Sequence, residues 1–241
     1  KNSRKLLKME QQSLNLKAII LGATGAVGRE LVQELVKSPN WTEITVPVRR
    51  KLEEWDTFTE EQKNKLKIIT QENLDSLEDA SKWNLEGYNT MFCCLGTQTK
   101  VGKEQFIKVD YTYPLWGGKL ASHFKIPHYS LVSSVGADPK SWFLYTKTKG
   151  RIEEDLKALK LPQLSIFRPG LLLNRRNDSR LGEKIFSALH LGPRIEATDV
   201  AKVLRTEAEL QHKSPYKENN VTFTNSEMHT INRTGDYPVK K

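Results

Sequence analysis

Long apolar runs are absent from this sequence of 241 residues, and cysteine is scarce. A helix that crosses a membrane needs a run of about 18 apolar residues. No run in this sequence is that long, so we expect no transmembrane segment. The two cysteines, Cys93 and Cys94, are adjacent, and adjacent cysteines rarely form an unstrained disulfide. Without other cysteines or neighbouring histidines, a metal site is not expected. The pair therefore indicates small apolar residues in a reducing compartment.

Acidic residues are too few to balance the basic ones. The chain has 38 lysines and arginines against 29 aspartates and glutamates, a formal net charge of +9. Such a balance is typical of proteins that bind nucleic acids, anionic membranes or phosphate-bearing ligands. Here the cations are scattered, and no interleaving of arginines with aromatic residues resembles a nucleic-acid module. We therefore expect a solvated basic surface and no nucleic-acid partner.

Short apolar runs alternate with helix-like segments along the chain. Six runs predict strands, from KAIIL at residues 17–21 to QLSIF at residues 163–167. Pro47 in the second run indicates an irregular or edge strand, because proline cannot donate to a strand ladder. This alternation predicts an α/β fold with a Rossmann-like, doubly wound, mostly parallel sheet and helices on both faces. Beyond the first helix, helices are predicted near residues 74–83, 104–123 and 145–160.

A glycine-rich segment, GATGAVG, follows the first predicted strand directly. Its glycines Gly22, Gly25 and Gly28 are spaced three apart and lie between a strand and a helix, which is the context that a dinucleotide-binding motif requires. Glycines let the backbone approach a pyrophosphate, and the helix N-terminus supplies unpaired N–H groups. A tight turn that merely needs positive φ angles is the alternative. The context favours a phosphate-binding turn.

Two arginines, Arg49 and Arg50, follow the second predicted strand. In NAD-binding proteins of this architecture an acidic residue at this place binds the ribose hydroxyls. Guanidinium groups instead offer bidentate hydrogen bonds to a 2′-phosphate. The alternative is a solvated arginine pair at a strand end. We therefore predict NADPH as the cofactor.

A Y-x-x-x-K pair, Tyr145 and Lys149, lies on one face of a predicted helix after the fifth strand. That face continues into an apolar stripe, and a buried ammonium needs a partner, which ribose hydroxyls of a dinucleotide would provide. The charge of Lys149 would favour the phenolate form of Tyr145, which could then exchange a proton with a substrate. Ser134 would hold the substrate oxygen. The alternative is a core-edge tyrosine with a lysine snorkelling past it.

With these motifs in place, the chain resembles an atypical short-chain dehydrogenase/reductase, most closely the TIP30/Fmp52-like (HTATIP2-like) family. The matching runs extend with gaps from about residue 17 to residue 180, and beyond that point the likeness is faint. The resemblance implies a Rossmann-like sheet and bound NADPH. The runs that carry the resemblance are ILGATGAVGRELV, VRRKL, FCCLGTQT, LVSSVGADPKSWFLYTKTKGRIEEDL and FRPGLLLNRR.

The resemblance also implies roles for individual residues. Tyr145 and Lys149 match the family's active pair, and Ser134 matches its catalytic serine, although Ser133 stays open as an alternative. Other positions match contacts to the pyrophosphate, the 2′-phosphate, the adenosine side and further parts of the cofactor. The pyrophosphate contacts match Thr24, Gly25, Ala26 and Val27, and the 2′-phosphate contacts match Arg49 and Arg50. The adenosine side matches Leu95 and Gly96, and the further cofactor contacts match Leu172 and Arg180.

Two functions agree with these observations. The first is an NADPH-dependent reductase of an unknown small carbonyl substrate, with Ser134, Tyr145 and Lys149 as catalytic residues. The second is a non-catalytic NADPH-bearing accessory subunit or adaptor of a larger assembly, indicated by the polar ends and the short substrate region. We divide the chain into a basic N-terminal arm (1–16), an NAD(P)-binding Rossmann-like domain (17–212) and a polar C-terminal extension (213–241).

The first residue, Lys1, leaves a removed targeting peptide open. Members of the resembling family are linked to mitochondria as well as to the cytosol. We therefore expect a mitochondrial location, with a cytoplasmic one as the alternative.

Overall fold

The computed structural model describes residues 13–173, 192–235 and 237. Within these ranges, parallel strands alternate with helices along the chain, as the apolar runs predict. The strands are β1 (Leu16–Leu21), β2 (Trp41–Val48), β3 (Leu66–Thr70), β4 (Thr90–Cys93), β5 (His128–Val132), β6 (Gln163–Arg168), β7 (Leu171–Leu173), β8 (Arg194–Glu196) and β9 (Asn220–Thr224).

The described ranges contain seven α-helices, and several connections contain 3₁₀ turns. The α-helices are α1 (Ala26–Lys37), α2 (Glu60–Lys65), α3 (Lys103–Ile107), α4 (Tyr113–His123), α5 (Leu144–Ala158), α6 (Ala197–Lys213) and α7 (Asn225–Thr234). A π-helical turn (Lys108–Thr112) joins α3 to α4. Among the residues described, no helix combines the length and the apolar character needed to cross a membrane.

The main sheet has seven strands in the order β3-β2-β1-β4-β5-β6-β9, and every pairing in it is parallel. The chain runs outward from β1 to β3 and then returns to β4 on the other side of β1. This reversal places a topological switch point between the carboxyl ends of β1 and β4, where ligands of such sheets bind. Strands β7 and β8 form a separate two-stranded sheet.

The apolar core is divided into two clusters, one on each face of the main sheet. Leu31 of α1 and Leu204 of α6 belong to the first cluster, and Leu120 of α4 and Ile152 of α5 belong to the second. Helices therefore cover both faces, as a doubly wound sheet of hydrophobic strands requires. The predicted fold class is confirmed.

The edge position predicted for the strand containing Pro47 is wrong, because β2 lies between β1 and β3. The irregular alternative is confirmed, because the register of β2 against β1 shifts between Leu16 and Lys17. The N–H of Gln71 donates to the carbonyl oxygen of Val48, so Val48 faces β3. Pro47, one residue earlier, faces the β1 side. Pairing with β1 has already ended there, at Thr45 opposite Ile19. The β1–β2 ladder thus ends where proline cannot donate, while pairing with β3 continues through Pro47 to Val48.

Two predicted helices differ from the structure. The segment 74–83 forms two 3₁₀ turns, Asp75–Glu78 and Ala80–Lys82, because the Asp79 side chain accepts the N–H of Ser81 and competes with an α-helix. The segment 104–123 is interrupted by the π turn. Pro114 has no N–H to donate to the carbonyl four residues earlier, so the regular pattern cannot continue through it.

Part of the range assigned to a polar extension belongs to the main sheet. Strand β9 pairs with β6 in parallel, and Val221 and Phe223 on it are buried. Helix α7 follows it, and Met228 of that helix joins the first core cluster. At the other end, β1 begins at Leu16, the last residue of the expected arm, while residues 1–12 lie outside the described ranges.

Candidate functional site

The turn after β1 needs glycine at two positions. Gly22 has a φ of +84°, and a Cβ there would lie 2.8 Å from the backbone carbonyl atoms of Cys94. A Cβ at Gly28 would lie 2.2 Å from the carbonyl oxygen of Gly22. The end of β4 and the start of helix α1 therefore both pack closely against the glycine turn that follows β1. Larger residues would push the three backbones apart.

The N-terminus of α1 is open. Its N-cap residue, Gly25, has no side chain to cap the helix, and the first turn contains no acidic residue. Thr24 and Gly25 are exposed. The first N–H groups of a helix have no intrahelical partner, and the helix dipole favours an anion beside them. The turn therefore has the chemistry of a pyrophosphate site.

Arg49 and Arg50 are exposed at the carboxyl end of β2. The loop that follows is anchored to α1, because Arg29 Nε donates to Glu54 at 3.1 Å and Trp55 is buried in the first core cluster. Within the described part of the chain, neither Arg49 nor Arg50 forms an ion pair with a carboxylate. Both guanidinium groups are thus available to an anionic ligand.

Leu95 and Gly96 follow β4 on the other side of the switch point. The Cys94 N–H donates to the Leu21 carbonyl oxygen at 2.8 Å, which joins this turn to the end of β1. A Cβ on Gly96 would lie 3.6 Å from Asp110 Oδ1 and 3.8 Å from Lys149 Nζ. The turn after β4 therefore lies between the glycine turn and the face of α5 that carries Lys149.

Lys149 is buried, as its apolar stripe predicts, but it has a partner within the chain. Its Nζ lies 2.8 Å from Oδ1 of Asp110, whose side chain is wholly buried. Burial alone would lower the pKa of Lys149, but the charge of the Asp110 carboxylate outweighs burial and raises that pKa. The inward orientation of Lys149 therefore does not by itself require a bound cofactor. Asp110 was not predicted as a partner of Lys149, because an acidic residue four positions before Pro114 carries no recognisable local pattern.

Tyr145 is half-buried on the first turn of α5, and its ring lies 5.9 Å from the ring of Phe106. Directly before it, Trp142 and Phe143 are 99% and 77% exposed, and Val135 beside Ser134 is 45% exposed. The open side of the site is therefore bordered by apolar residues.

The two serines after β5 have different surroundings. Ser133 is buried, and its Oγ donates to Glu153 at 2.5 Å. Glu153 also accepts hydrogen bonds from Nε and Nη2 of Arg168. Ser134 is half-buried, and its Oγ donates to the carbonyl oxygen of Val135 at 3.2 Å. Ser133 is committed to a buried charged network, whereas Ser134 can turn its hydroxyl to a ligand.

The structure brings together most of the predicted site residues at the carboxyl edge of the sheet. Leu172 pairs with Ile195 in the small β7–β8 sheet and packs against the first core cluster. Arg180 lies outside the described residues. Among described residues, no group of three His, Cys, Asp or Glu side chains is placed to hold a metal ion.

Known proteins share both the sequence and the fold. A family model described as NAD(P)H-binding matches residues 22–209. Protein HTATIP2 of Rattus norvegicus is 38% identical over 193 residues, which cover 76% of this chain and 76% of that protein. The chain belongs to the NAD(P)H-binding family of HTATIP2. Mitochondrial protein FMP52 of Lodderomyces elongisporus, 32% identical over 232 residues, covers 87% of this chain and 94% of its own length. The resemblance to the HTATIP2 and FMP52 family is confirmed.

Among solved structures, MoeE5 in complex with UDP-glucose and NAD superimposes with a TM-score of 0.67. The two chains are 16% identical, and the match covers 92% of this chain and 83% of MoeE5. At that identity the likeness shows the fold alone. The family match makes this HTATIP2-family protein an NAD(P)-binding protein that takes a nicotinamide cofactor.

Proposed function

We propose that this protein is an NADPH-dependent reductase of a carbonyl compound, with Ser134, Tyr145 and Lys149 as its catalytic residues. The observation that carries the proposal is the closeness of Lys149 to the turn after β4, where its Nζ lies 3.8 Å from the Cβ position of Gly96. That turn adjoins the glycine turn at the switch point. A dinucleotide bound along these turns would extend toward the Tyr145–Lys149 face of α5.

The choice of NADPH rests on the arginine pair. Arg49 and Arg50 are exposed, have no carboxylate partner among the described residues, and follow β2, where the adenosine ribose binds in this architecture. A guanidinium group binds a 2′-phosphate with paired, charge-assisted hydrogen bonds. The backbone N–H groups of Ala26 and Val27 would bind the pyrophosphate, with Thr24 and Gly25 beside it.

The remaining residues would organise proton transfer. The cofactor supplies a hydride for the carbonyl carbon. Lys149 holds the ribose hydroxyls, Ser134 Oγ donates a hydrogen bond to the carbonyl oxygen, and Tyr145 Oη gives that oxygen its proton, so that an alcohol forms. The exposed apolar border at Val135, Trp142 and Phe143 supports a substrate with an apolar portion.

Cofactor preference is tested by titrating the purified protein with NADPH and NADH, followed by calorimetry. The double variant Arg49→Ala/Arg50→Ala should weaken NADPH binding at least about 10- to 100-fold, the loss expected for a single charge-assisted hydrogen bond of about 1.5–3 kcal/mol, and should change NADH binding little. Lys51→Ala is the matched control, because it removes an adjacent cation that pairs with Asp56. An NADPH preference that survives the double variant would move the phosphate site elsewhere.

Turnover is tested with a panel of aldehydes and ketones of increasing apolar size. Tyr145→Phe should lower kcat about 10²- to 10⁴-fold and leave the Kd for NADPH nearly unchanged. Tyr111→Phe is the control, because it removes the same hydroxyl from a tyrosine whose Oη donates to Asp155. Tight NADPH binding without reduction of any carbonyl would favour the second function, an NADPH-bearing subunit or adaptor of a larger assembly.

We also propose a mitochondrial location, because several FMP52 relatives are named mitochondrial. Fractionation of cells that express the full-length protein tests this. Recovery in the cytosolic fraction alone would contradict it.

A further inference from the structure

We propose that Asp110 is a positioning residue of this site, whose carboxylate holds the ammonium of Lys149 and the turn after β4 in one arrangement. The inference rests on the proposed function, since it assigns Asp110 a part in holding Lys149 toward the nicotinamide ribose. The alternative is a buried ion pair that serves only the packing of α5 against the π turn.

Asp110 joins two elements that the proposed site needs. Its Oδ1 lies 2.8 Å from Lys149 Nζ on α5, and its Oδ2 accepts the N–H of Thr97 at 2.8 Å. Thr97 directly follows Leu95 and Gly96, which are predicted to flank the cofactor. One carboxylate therefore connects the cofactor side of the site to its proton-transfer side.

The ion pair is covered by the turn itself. A Cβ on Gly96 would approach both Asp110 Oδ1 and Lys149 Nζ within 4 Å, so the Gly96 backbone passes close over the pair. The side chains of Asp110 and Lys149 are 0% and 5% exposed. Charges interact strongly where water is excluded. An ammonium has three N–H donors, so its ion pair with Asp110 leaves donors for ribose hydroxyls.

The backbone around Asp110 is irregular in a way that agrees with a site. Asp110 lies within the π-helical turn Lys108–Thr112, between α3 and α4. Single π turns inside α-helices occur frequently at functional sites. A buried ion pair adds little stability compared with apolar residues of similar volume, so packing alone is a weak explanation for it.

A positioning role can be distinguished from a packing role by the pH at which Lys149 loses its proton. The groups that face Lys149 Nζ are Asp110 from the π turn, Tyr145 from its own helix and Cys93 from β4. With the Asp110 charge removed, burial is the leading effect on Lys149, and burial lowers the pKa of a lysine. The ammonium would then lose its proton at a lower pH, and any ligand that it holds would be released.

The experiment measures the Kd for NADPH from pH 6 to pH 9 in the full-length protein and in Asp110→Asn. The wild-type Kd should change little over this range. In Asp110→Asn it should rise about 10-fold between pH 7 and pH 9, the loss expected for one hydrogen bond to a charged group. Asp155→Asn is the control, because it makes the same change on the helix of Lys149 and should keep the wild-type profile. An Asp110→Asn profile as flat as that of wild type would overturn the proposal.

Asp110→Glu keeps the inference testable where Asp110→Asn does not fold. It retains the charge, so its NADPH profile should stay flat, but the longer side chain displaces Lys149 and should lower kcat about 10- to 100-fold. A kcat equal to that of wild type would contradict positioning. If wild type binds NADPH but reduces no carbonyl, the proposed reduction fails while the pH profiles still decide on Asp110. If wild type does not bind NADPH, both proposals fail.

Discussion

Buried ionisable groups lie on both faces of the sheet, and the two sets respond to burial in opposite ways. On the α5 face, Lys149 and Asp110 form an ion pair at 2.8 Å, and the Asp110 charge outweighs burial to raise the pKa of Lys149. On the α6 face, His128 Nε2 lies 3.5 Å from Glu207 Oε2. There burial lowers the pKa of His128 to about 3 and raises the pKa of Glu207 to about 8. One set keeps its charges, and the other set is neutral near pH 7.

Hydroxyl groups connect the members of the second set, and burial is what keeps His128 and Glu207 neutral. Ser165 Oγ donates to Glu207 Oε1 at 2.6 Å and lies 3.1 Å from His128 Nε2. Thr90 Oγ1 lies 2.9 Å from Nε2 of His212, whose pKa is lowered by burial. Hydroxyl groups can donate or accept as needed. The bond from Ser165 favours the charged form of Glu207, but burial outweighs it and raises the pKa.

The position along the strands differs as well. Lys149 and Asp110 adjoin the turns at the carboxyl end of the sheet, whereas Thr90 and His128 are the first residues of β4 and β5. Ligands of such sheets bind at the carboxyl ends. The buried charges of Lys149 and Asp110 therefore lie at the proposed site, while the neutral His128–Glu207 set belongs to the core at the opposite end of the strands.

The largest expected effect follows from breaking the charged pair. Lys149→Met leaves the Asp110 carboxylate buried without its cation, and we expect the free energy of unfolding to fall by about 3–5 kcal/mol. Denaturant unfolding followed by circular dichroism measures this. Lys157→Met, at an exposed position on the same helix, should change stability by less than about 0.5 kcal/mol. Equal losses of unfolding free energy in the two variants would show that the Asp110–Lys149 ion pair is not needed for stability.

For the neutral set, we expect the free energy of unfolding to depend on pH. Glu207 has a folded pKa of about 8 against an ordinary value of 4.5, so between these pH values the folded protein holds a proton that the unfolded chain has lost. Stability from this group therefore falls as pH rises through that window and is constant above pH 8. His128 acts oppositely, since its folded pKa of about 3 makes stability fall as pH drops below 6.5.

Between pH 6.5 and pH 8 the His128 contribution is nearly constant, whereas the Glu207 contribution should lower the free energy of unfolding by about 2 kcal/mol. Glu207→Gln should abolish this decline, because its side chain does not titrate, and unfolding curves at several pH values would show it. Glu218→Gln, the same change at an exposed position, should keep the wild-type decline. If Glu207→Gln keeps the decline too, then the carboxyl group is charged in the folded protein, and the contrast between the two sets disappears.

The smallest effect separates the two serines. Ser133→Ala removes a donor to Glu153 but leaves its pair with Arg168, so we expect a loss of about 1 kcal/mol in unfolding free energy and little direct effect on chemistry. Ser134→Ala should leave stability unchanged and lower kcat, because its Oγ bonds only to the Val135 carbonyl. Parallel measurements of stability and kcat distinguish them. The reverse pattern would make Ser133 the catalytic serine.

Much of the fold and part of the site could be predicted from local sequence. The spacing of Gly22 and Gly28 after an apolar strand predicts the close turn, and the stripe through Ile152 and Leu156 predicts that Lys149 faces inward. The α-helix expected at 74–83 is wrong, because local bonds such as Asp79 to the Ser81 N–H outweigh helical periodicity. The His128–Glu207 cluster was not predicted at all, since polar residues in separate elements carry no shared local pattern.

The sequence by itself determined the alternation of strands and helices, the glycine turn and the side of α5 on which Tyr145 and Lys149 lie. Only the tertiary structure decided that Lys149 pairs with Asp110, that Ser133 is committed to Glu153, and that Pro47 lies inside the sheet. The physical reason is range. Periodicity and turn chemistry act over a few residues, whereas the partner of a buried charge depends on which distant elements pack together and on the distances between them.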